Sequence, residues 1–168
     1  MPHDETEEES RQPISPEAER FLHDLRMFMM DYEVFNQLRD EKEVSRRMLL
    51  LATRMTVNTF NATPPLSGAY TLKQMLQNHL LEPTLYHAAS NVLMMRAQQQ
   101  ERNQLTYSDG GRSEVINDKA PSYKNTYQML RQYSLELFKK FKVAQNLNSG
   151  YGHSKGVHSD YAYIDDYL

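Results

Sequence analysis

The helical spacing of large apolar side chains is the feature that most constrains how this chain can fold. In residues 15–38 they recur every three or four positions, at Phe21, Leu25, Phe28, Tyr32 and Phe35, and Leu22 and Met29 widen the stripe. This repeat is typical of an amphipathic helix. Ser15 followed by Pro16 supplies a capping residue and a first-turn proline. We therefore expect a helix from residue 15 to about residue 38, with a possible break at Asp31.

The same spacing predicts further helices along the chain. Asp40 with Glu43 three residues later predicts a capping box, opening a helix that runs to about residue 60 and ends before Pro64-Pro65. Thr71 caps a short third helix. A fourth extends from residue 84 to about 105, and Pro83 either closes the third helix or starts the fourth. The last runs from 121 or 122 to about 146, where Asn148-Ser149-Gly150 is a stop signal.

Each of these patterns also predicts a buried face. The second helix is expected to bury Val44, Met48, Leu51 and Met55. The fourth is expected to bury Leu85, Ala88, Val92 and Met95, and its far end, RAQQQERNQ, is polar throughout. The last helix is expected to bury Tyr123, Tyr127, Leu130, Ser134, Leu137, Phe141 and Ala144.

Residues 103–119, NQLTYSDGGRSEVINDK, interrupt this helical pattern. Asp109-Gly110-Gly111 is a turn signal between two short strand-like runs, which predicts a small β-hairpin at residues 105–116. The fold class is therefore all-α, a bundle of four to five helices with a hairpin insert. An acidic arm (residues 1–14) and an extended tail (residues 147–168) flank the helical domain (residues 15–146).

Charge is distributed unevenly along the chain, although the net charge is only −3. Residues 1–45 carry 13 acidic and 5 basic side chains, whereas residues 46–155 carry 6 acidic and 14 basic ones. Two interpretations stay open: the acidic part screens the basic body, or different faces meet oppositely charged neighbours in a layered assembly. The mean hydropathy of −0.75 is low for a globule, which favours a large share of tail, loop or partner-contact surface.

Residue patterns that would indicate catalysis or metal binding are lacking. Cysteine is absent, which removes disulfides, thiolate metal sites and cysteine nucleophiles. The six histidines lack ligand spacing, so surface positions are the default interpretation. Asp31 is interpreted as a hydrogen-bonded turn or cap residue, and SDGGRS lacks the phosphate-loop pattern. We expect a non-enzymatic protein without cofactor or metal. It lacks an apolar run that could span a membrane, and the acidic first residues, unlike a leader, favour a cytoplasm-like compartment.

A basic stretch, FKKFKVAQN at residues 138–146, raises the alternative of nucleic-acid binding. It places Lys139, Lys140 and Lys142 among aromatic side chains, and Arg46-Arg47 adds a second basic pair. The plain interpretation is a solvated face near a helix C-terminus. A pI of about 6.1 argues against a dedicated nucleic-acid binder.

Two segments are predicted to contact partner proteins. The hairpin would do so through Tyr107, Asp109, Gly110, Gly111 and Arg112. The tail, rich in glycine and tyrosine, would do so through Tyr151, Val157, Tyr161, Tyr163, Ile164 and Tyr167. A lone two-stranded hairpin is marginal in water, and tyrosines supply contact area at low entropic cost. Both segments therefore favour a subunit of a larger assembly.

Several stretches resemble the helical head-completion, or head-to-tail adaptor, proteins of tailed bacteriophages. The resemblance covers most of the chain in order and residue type. It rests on Asp31, Asn36, Leu38, VNTFNATPP (57–65), QERNQLTYSDGGRSEVINDK (100–119), Tyr123, Lys142, Asn146 and GVHSDY (156–161).

This resemblance implies a structural virion protein at the head–tail junction, assembled in the host cytoplasm. It implies a cyclic ring of identical subunits, commonly twelve, seated on the portal protein through an extended C-terminal segment. A downstream neck or tail protein would bind the other side, the hairpin would contact a neighbouring subunit or ring, and genomic DNA would pass only as cargo.

Two alternatives from other classes remain at this point. One is a nucleic-acid-handling helical factor, such as a small packaging subunit or a repressor. It would need a basic face and a helix-turn-helix near the N-terminus, where this chain is acidic. The other is a helical adaptor of cellular origin that binds one protein partner through its tyrosine-rich tail.

Overall fold

The structure is a computed structural model that describes residues 14–35, 44–66, 68–102, 106–109, 112–115 and 120–151. Five α-helices make up most of these residues. They are α1 (Pro16–Phe28), α2 (Arg46–Ala62), α3 (Leu72–Gln77), α4 (Leu81–Arg102) and α5 (Ala120–Tyr151). A 3-10 turn, Glu33–Phe35, follows α1. The all-α class predicted from the sequence is confirmed.

Between α4 and α5 the backbone forms two short strands, β1 (Thr106–Asp109) and β2 (Arg112–Val115). They pair antiparallel, with Thr106 opposite Val115 and Asp109 opposite Arg112. The backbone alone is described here, and the predicted turn residues Gly110 and Gly111 lie outside the described residues. Residues 1–13 of the predicted acidic arm and 152–168 of the predicted tail also lie outside them, so these predictions remain predictions.

Helix α4 is the central element, because it packs along α5 and also contacts α1, α2 and α3. Its buried residues lie on several sides and are mostly small or polar: Pro83, Thr84, His87, Ala88, Ala89, Ser90, Asn91, Val92 and Ala97. Small side chains allow neighbouring helices to approach closely, and the buried polar ones find partners. Asn91, for example, donates to Thr56 Oγ1 at 3.2 Å. The predicted burial of Ala88 and Val92 is confirmed.

The core consists of two clusters of buried side chains. The first joins α1, α2 and α4 through Phe21, Leu22, Leu25, Val44, Leu49, Ala52, Ala88, Ala89 and Val92. The second joins α2, α3 and α5 through Phe60, Met75, Leu80 and Phe138. In the second cluster the rings of Phe60 and Phe138 meet edge to face, with centroids 5.0 Å apart.

The predicted start of the second helix is wrong, and its predicted buried face is right for Val44, which is buried, and for Met48, which packs against the first core cluster, but wrong for the other two residues. Helix α2 begins at Arg46, after Ser45, whose hydroxyl accepts from Met48 N at 3.2 Å. Leu51 and Met55 are exposed, and the buried positions are Leu49, Ala52, Thr53, Thr56 and Phe60. The two threonines are buried because each hydroxyl donates to the carbonyl four residues earlier, at 2.8 Å. A hydrophobicity pattern does not register such satisfied polar side chains.

The ends of the first and last helices also differ from prediction. Helix α1 begins as predicted, with Ser15 capping Ala18 N, but it ends at Phe28 instead of near residue 38. Helix α5 continues to Tyr151, through the Asn148-Ser149-Gly150 segment predicted to stop it. Each of these residues lowers helix stability by roughly 1 kcal/mol or less, so a long, already nucleated helix can include them.

Candidate protein-interaction surface

The turn that ends α1 fixes the position of an exposed apolar segment. Met30 has a positive φ of 56°, the left-handed conformation of a Schellman helix end. Its N–H donates to the Met27 carbonyl at 3.1 Å, and the next N–H, that of Asp31, donates to the Arg26 carbonyl at 3.0 Å. These two bonds reverse the chain sharply, so the predicted helix to residue 38 cannot form.

A buried ion pair holds this turn against the helical body. The Arg26 guanidinium donates to Asp31 Oδ2 at 2.6 Å, and the exposed fractions of the two side chains are 13% and 5%. Both carboxylate oxygens of Asp31 also accept from Val44 N at 3.3 Å. Asp31 therefore links the end of α1 to the residues before α2, which confirms its interpretation as a hydrogen-bonded turn residue.

Around this anchored turn lie large apolar side chains that remain in contact with solvent. We call them the apolar projection: Met27, Phe28, Met30, Val34 and Phe35, with exposed fractions from 41% to 89%. An ordered patch of this kind on a soluble protein typically marks a contact with another macromolecule. The sequence analysis assigned Phe28 and Phe35 to a buried face, and their exposure corrects that prediction.

Two pockets flank the anchored turn. One, of about 210 Å³, is lined by Met29, Met30, Asp31, Phe35, Val44, Leu93, Arg96 and Tyr123. The other, of about 370 Å³, is lined by Glu19, Leu22, His23, Arg26, Tyr32, Arg46 and Leu49. The first is smaller than the roughly 300–1,000 Å³ typical of small-molecule sites and has mixed polar and apolar walls. Its size suits one or two side chains of a protein partner.

A row of aromatic rings connects the apolar projection to α5. Phe28 lies against Tyr86 of α4, with ring centroids 5.3 Å apart, and Tyr86 lies against Tyr133 of α5 at 5.6 Å. A hydrogen bond to Glu82, together with burial, raises the pKa of Tyr86 above its usual value. Three helices therefore contribute to one half-exposed aromatic surface.

Lys142 belongs to the interior of the protein. Its ammonium donates to the carbonyls of Asn61 at 3.2 Å and Thr63 at 2.8 Å, and it lies 4.7 Å from the centroid of the Phe60 ring. The side chain is fully buried, and burial lowers the pKa of Lys142. The interpretation of Lys142 as part of a solvated basic face is wrong, whereas Lys139 and Lys140 are exposed as expected.

His87 is likewise buried, which corrects its default interpretation as a surface residue. Its Nδ1 lies 2.9 Å from Ser134 Oγ, and the imidazole ring lies 5.6 Å from that of Phe138. Among the described residues Nε2 has no hydrogen-bond partner. Burial, and secondly the charge of Arg131, lowers the pKa of His87 to about 4. The imidazole is therefore neutral at physiological pH and joins α4 to α5.

Acidic side chains of α1 form ion pairs with basic side chains of other helices on the surface of the described part of the protein. Glu17 and Glu19 of α1 form ion pairs with Lys73 of α3, at 2.9 Å, and with Arg46 of α2. The Lys73 partner lowers the pKa of Glu17. These contacts support the interpretation that acidic α1 screens a basic body, although exposed pairs of this kind contribute little stability.

The described structure brings together two of the predicted partner-binding residues, Asp109 and Arg112, which lie opposite each other in the paired strands. Tyr107 and Asp109 lie in β1, Arg112 lies in β2 and Tyr151 ends α5. Gly110, Gly111, Val157, Tyr161, Tyr163, Ile164 and Tyr167 lie outside the described residues. The apolar projection was not predicted as a surface, although six large apolar residues within positions 27–35 were a visible signal.

In the described ranges, no three acidic or histidine side chains are grouped to hold a metal ion. None of the helices described here has both the length and the apolar content to cross a bilayer. Comparison with protein-family models, curated proteins and solved structures finds no match.

Proposed function

We propose that this chain is a structural virion protein, the subunit of a ring that joins the portal of a tailed-phage capsid to the neck or tail. The ring leaves a channel through which genomic DNA passes. The portal and a downstream neck or tail protein are its partners, and commonly twelve copies close such a ring. The site of action is the head–tail junction of the virion.

The observation that carries this proposal is the apolar projection on an anchored turn. Val34 is 89% exposed beside a buried ion pair and belongs to a cluster of five exposed apolar side chains, and clustered patches of this kind typically mark a contact with another macromolecule. In a ring, each subunit uses one face against the next in a head-to-tail contact, and a rigid apolar protrusion suits such a contact. Asp31, which fixes the turn, is also one of the residues that carry the resemblance to phage adaptors.

The paired strands support the same proposal. A two-stranded sheet leaves one edge of β1 and one edge of β2 available for a further strand, and such edges recruit strands from other chains. The pair lies between the two longest helices, α4 and α5. A hairpin at this position can reach a neighbouring subunit or the adjoining ring without disturbing the core.

The burial of Lys142 weakens the nucleic-acid alternative. Of the three lysines in residues 138–146, only Lys139 and Lys140 remain on the surface. A nucleic-acid binder needs a cluster of exposed cations to neutralise phosphates. DNA is therefore better assigned as passing cargo than as a ligand.

A binding experiment with the portal ring of the same genome tests the proposal. The purified chain is mixed with the portal, and the complex is measured by native mass spectrometry and electron microscopy. Val34→Asp places a charge on the apolar projection, and Gln98→Asp on an exposed polar position of α4 is the matched control. We expect rings with wild type and the control, and loss of rings with Val34→Asp at unchanged helical circular dichroism.

Two results would contradict the proposal. Rings formed equally well by Val34→Asp would remove the apolar projection as the interface. A wild-type chain that ignores the portal but binds duplex DNA with strong salt dependence would favour the packaging or repressor class.

A further inference from the structure

Helix α5 carries a second apolar stripe on the side opposite its buried face. Its four exposed large apolar side chains among the described residues are Met129, Tyr133, Val143 and Leu147, with exposed fractions of 63%, 48%, 47% and 50%. At 3.6 residues per turn, Met129 and Leu147 each lie about 180° around the helix from Phe138. Phe138 is fully buried in the core, so Met129 and Leu147 face away from the bundle, whereas Tyr133, at the edge of the stripe, also contacts Tyr86 of α4.

The spacing of this stripe is that of a coiled-coil seam. With the exposed Glu136 and Lys140 included, positions 129, 133, 136, 140, 143 and 147 are separated by four, three, four, three and four residues. This alternation is the a/d repeat that lets one helix pack along another. We call these six residues the outer seam.

The outer seam is complementary to itself when the second helix runs in the opposite direction. A two-fold axis through position 138 places Met129 level with Leu147, and Tyr133 level with Val143, of the second copy. It also places Glu136 level with Lys140. Apolar residues thus meet apolar residues, and the acid meets the base. A parallel pair would instead place Glu136 against Glu136 and Lys140 against Lys140, and like charges so juxtaposed are unfavourable.

Other features of the structure keep the seam accessible and ordered. Asn146 to Gly150 are exposed on all sides, so the last turns of α5 project beyond the helical body. Tyr133 is held by its contact with the Tyr86 ring. Glu136 has a long hydrogen bond, 3.5 Å, from Gln132 of the same helix, which leaves its carboxylate able to accept from a partner.

We propose that two copies of this chain associate as an antiparallel pair through the outer seam of α5. The contact covers about 28 Å of helix and has a charged pair at its centre. A polar pair at such a position fixes register and direction but lowers affinity. The pair is isologous, unlike the head-to-tail contacts of a ring. It therefore belongs to the free protein, independent of the proposed function.

Sedimentation equilibrium of the full chain measures this association. Wild type should move from 19.7 kDa toward twice that mass as concentration rises from about 1 µM to about 1 mM, the range of micromolar affinity. Glu136→Lys and Lys140→Glu should each weaken dimerisation at least about tenfold, because like charges then face each other. The double swap Glu136→Lys/Lys140→Glu should restore it. Lys139→Glu, an equal charge change off the seam, is the control.

Cysteine cross-linking tests the direction, since the native chain has no cysteine. A mixture of Met129→Cys and Leu147→Cys proteins should oxidise to a disulfide-linked heterodimer, whereas Leu147→Cys alone should form no disulfide-linked dimer. A disulfide dimer of Leu147→Cys alone would overturn the antiparallel arrangement. A wild-type mass fixed at one copy, or a double swap that fails to recover, would overturn the proposal. Neither result would affect ring formation on the portal, which is measured separately.

Discussion

Helices α1 and α3 end in the same type of turn, but the chain after the α3 turn enters the core at Leu80, whereas large apolar side chains that follow the α1 turn are exposed. Met30 and His79 both have positive φ, 56° and 58°, and each turn is closed by the two hydrogen bonds of a Schellman motif. In the α3 turn the N–H of Leu80 donates to the Met75 carbonyl. Both residues are buried in the second core cluster. After α1 the equivalent residues are Arg26 and Asp31, joined by an ion pair.

The difference lies in what closes each turn. At α3 the apolar pair of Met75 and Leu80 packs in the core, and α4 begins at the next residue, Leu81. At α1 the charges of Arg26 and Asp31 are paired with each other. This closure does not place the following residues in the core. Val34 and Phe35 stay exposed. The same backbone geometry thus builds core at one end and surface at the other.

Asp31→Ala should have the largest effect, a loss of about 3–5 kcal/mol in the free energy of unfolding. It leaves the buried Arg26 guanidinium and Val44 N without their acceptor. Urea unfolding followed by circular dichroism measures the loss. Leu80→Ala is the matched change at α3 and should remove about 2–3 kcal/mol, the lower part of the usual range. An Asp31→Ala loss below 1 kcal/mol would contradict the role of the ion pair.

Acid should destabilise the cluster beside the α3 turn through His87. Its pKa is about 4 in the folded protein against 6.5 for an unperturbed histidine, so between these values the unfolded chain binds more protons. This contribution to stability is complete above pH 6.5 and is lost as pH falls through this window, and the loss amounts to about 3 kcal/mol by pH 4. Urea titrations from pH 7 to pH 4 measure it. If His87→Gln keeps the full wild-type slope, another group is responsible.

Glycine at either left-handed position should stabilise the protein by about 0.5–1 kcal/mol. Met30→Gly and His79→Gly remove a side chain from a backbone conformation that disfavours it by about 1–2 kcal/mol, and the added freedom of the unfolded chain offsets part of the gain. Thermal unfolding measures both. Gly68 has φ 92°, so Gly68→Ala is the opposite control and should destabilise. A loss of stability in both glycine variants would contradict the assigned turns.

Making the α1 turn resemble the α3 turn should have the smallest effect. The double variant Arg26→Met/Asp31→Leu replaces the ion pair by an apolar pair, which is often neutral or stabilising, while Val44 N loses its acceptor. We expect a stability within about 1 kcal/mol of wild type, far from the Asp31→Ala value. A loss as large as that of Asp31→Ala would show that the bond to Val44, and not the ion pair, holds the turn.

The sequence predicted elements with strong local signals and failed where tertiary contacts decide. Ser15-Pro16, Thr71 and Pro64-Pro65 act within a few residues, and the helix starts and the loop that they indicate are present. A possible break at Asp31 was predicted, and α1 does end close to it, at Phe28. The left-handed turn at Met30 that makes this break was not predicted, because no glycine marks the position and the Val44 contact is distant in sequence.

Burial of polar side chains was the second source of error. Lys142 lies four residues after Phe138, on the buried face of α5, so helical spacing alone could have placed it inside. Its charge indicated an exposed position instead. The carbonyl acceptors that allow its burial come from the end of α2, about 80 residues earlier, and could not be identified from the local sequence. Phe28 and Phe35 of the apolar projection were misassigned for the converse reason, since their apolar character was equated with burial.

The chemical reactivity of the buried Lys142 amine also reports whether α5 stays packed against the end of α2. Amine-reactive reagents attack only the deprotonated, accessible form of lysine, so Lys139 and Lys140 should acylate readily while Lys142 reacts only when α5 separates from the end of α2. Mass-spectrometric footprinting of these three neighbours would therefore read out, within a single peptide, whether the proposed ring assembly leaves this joint closed or opens it.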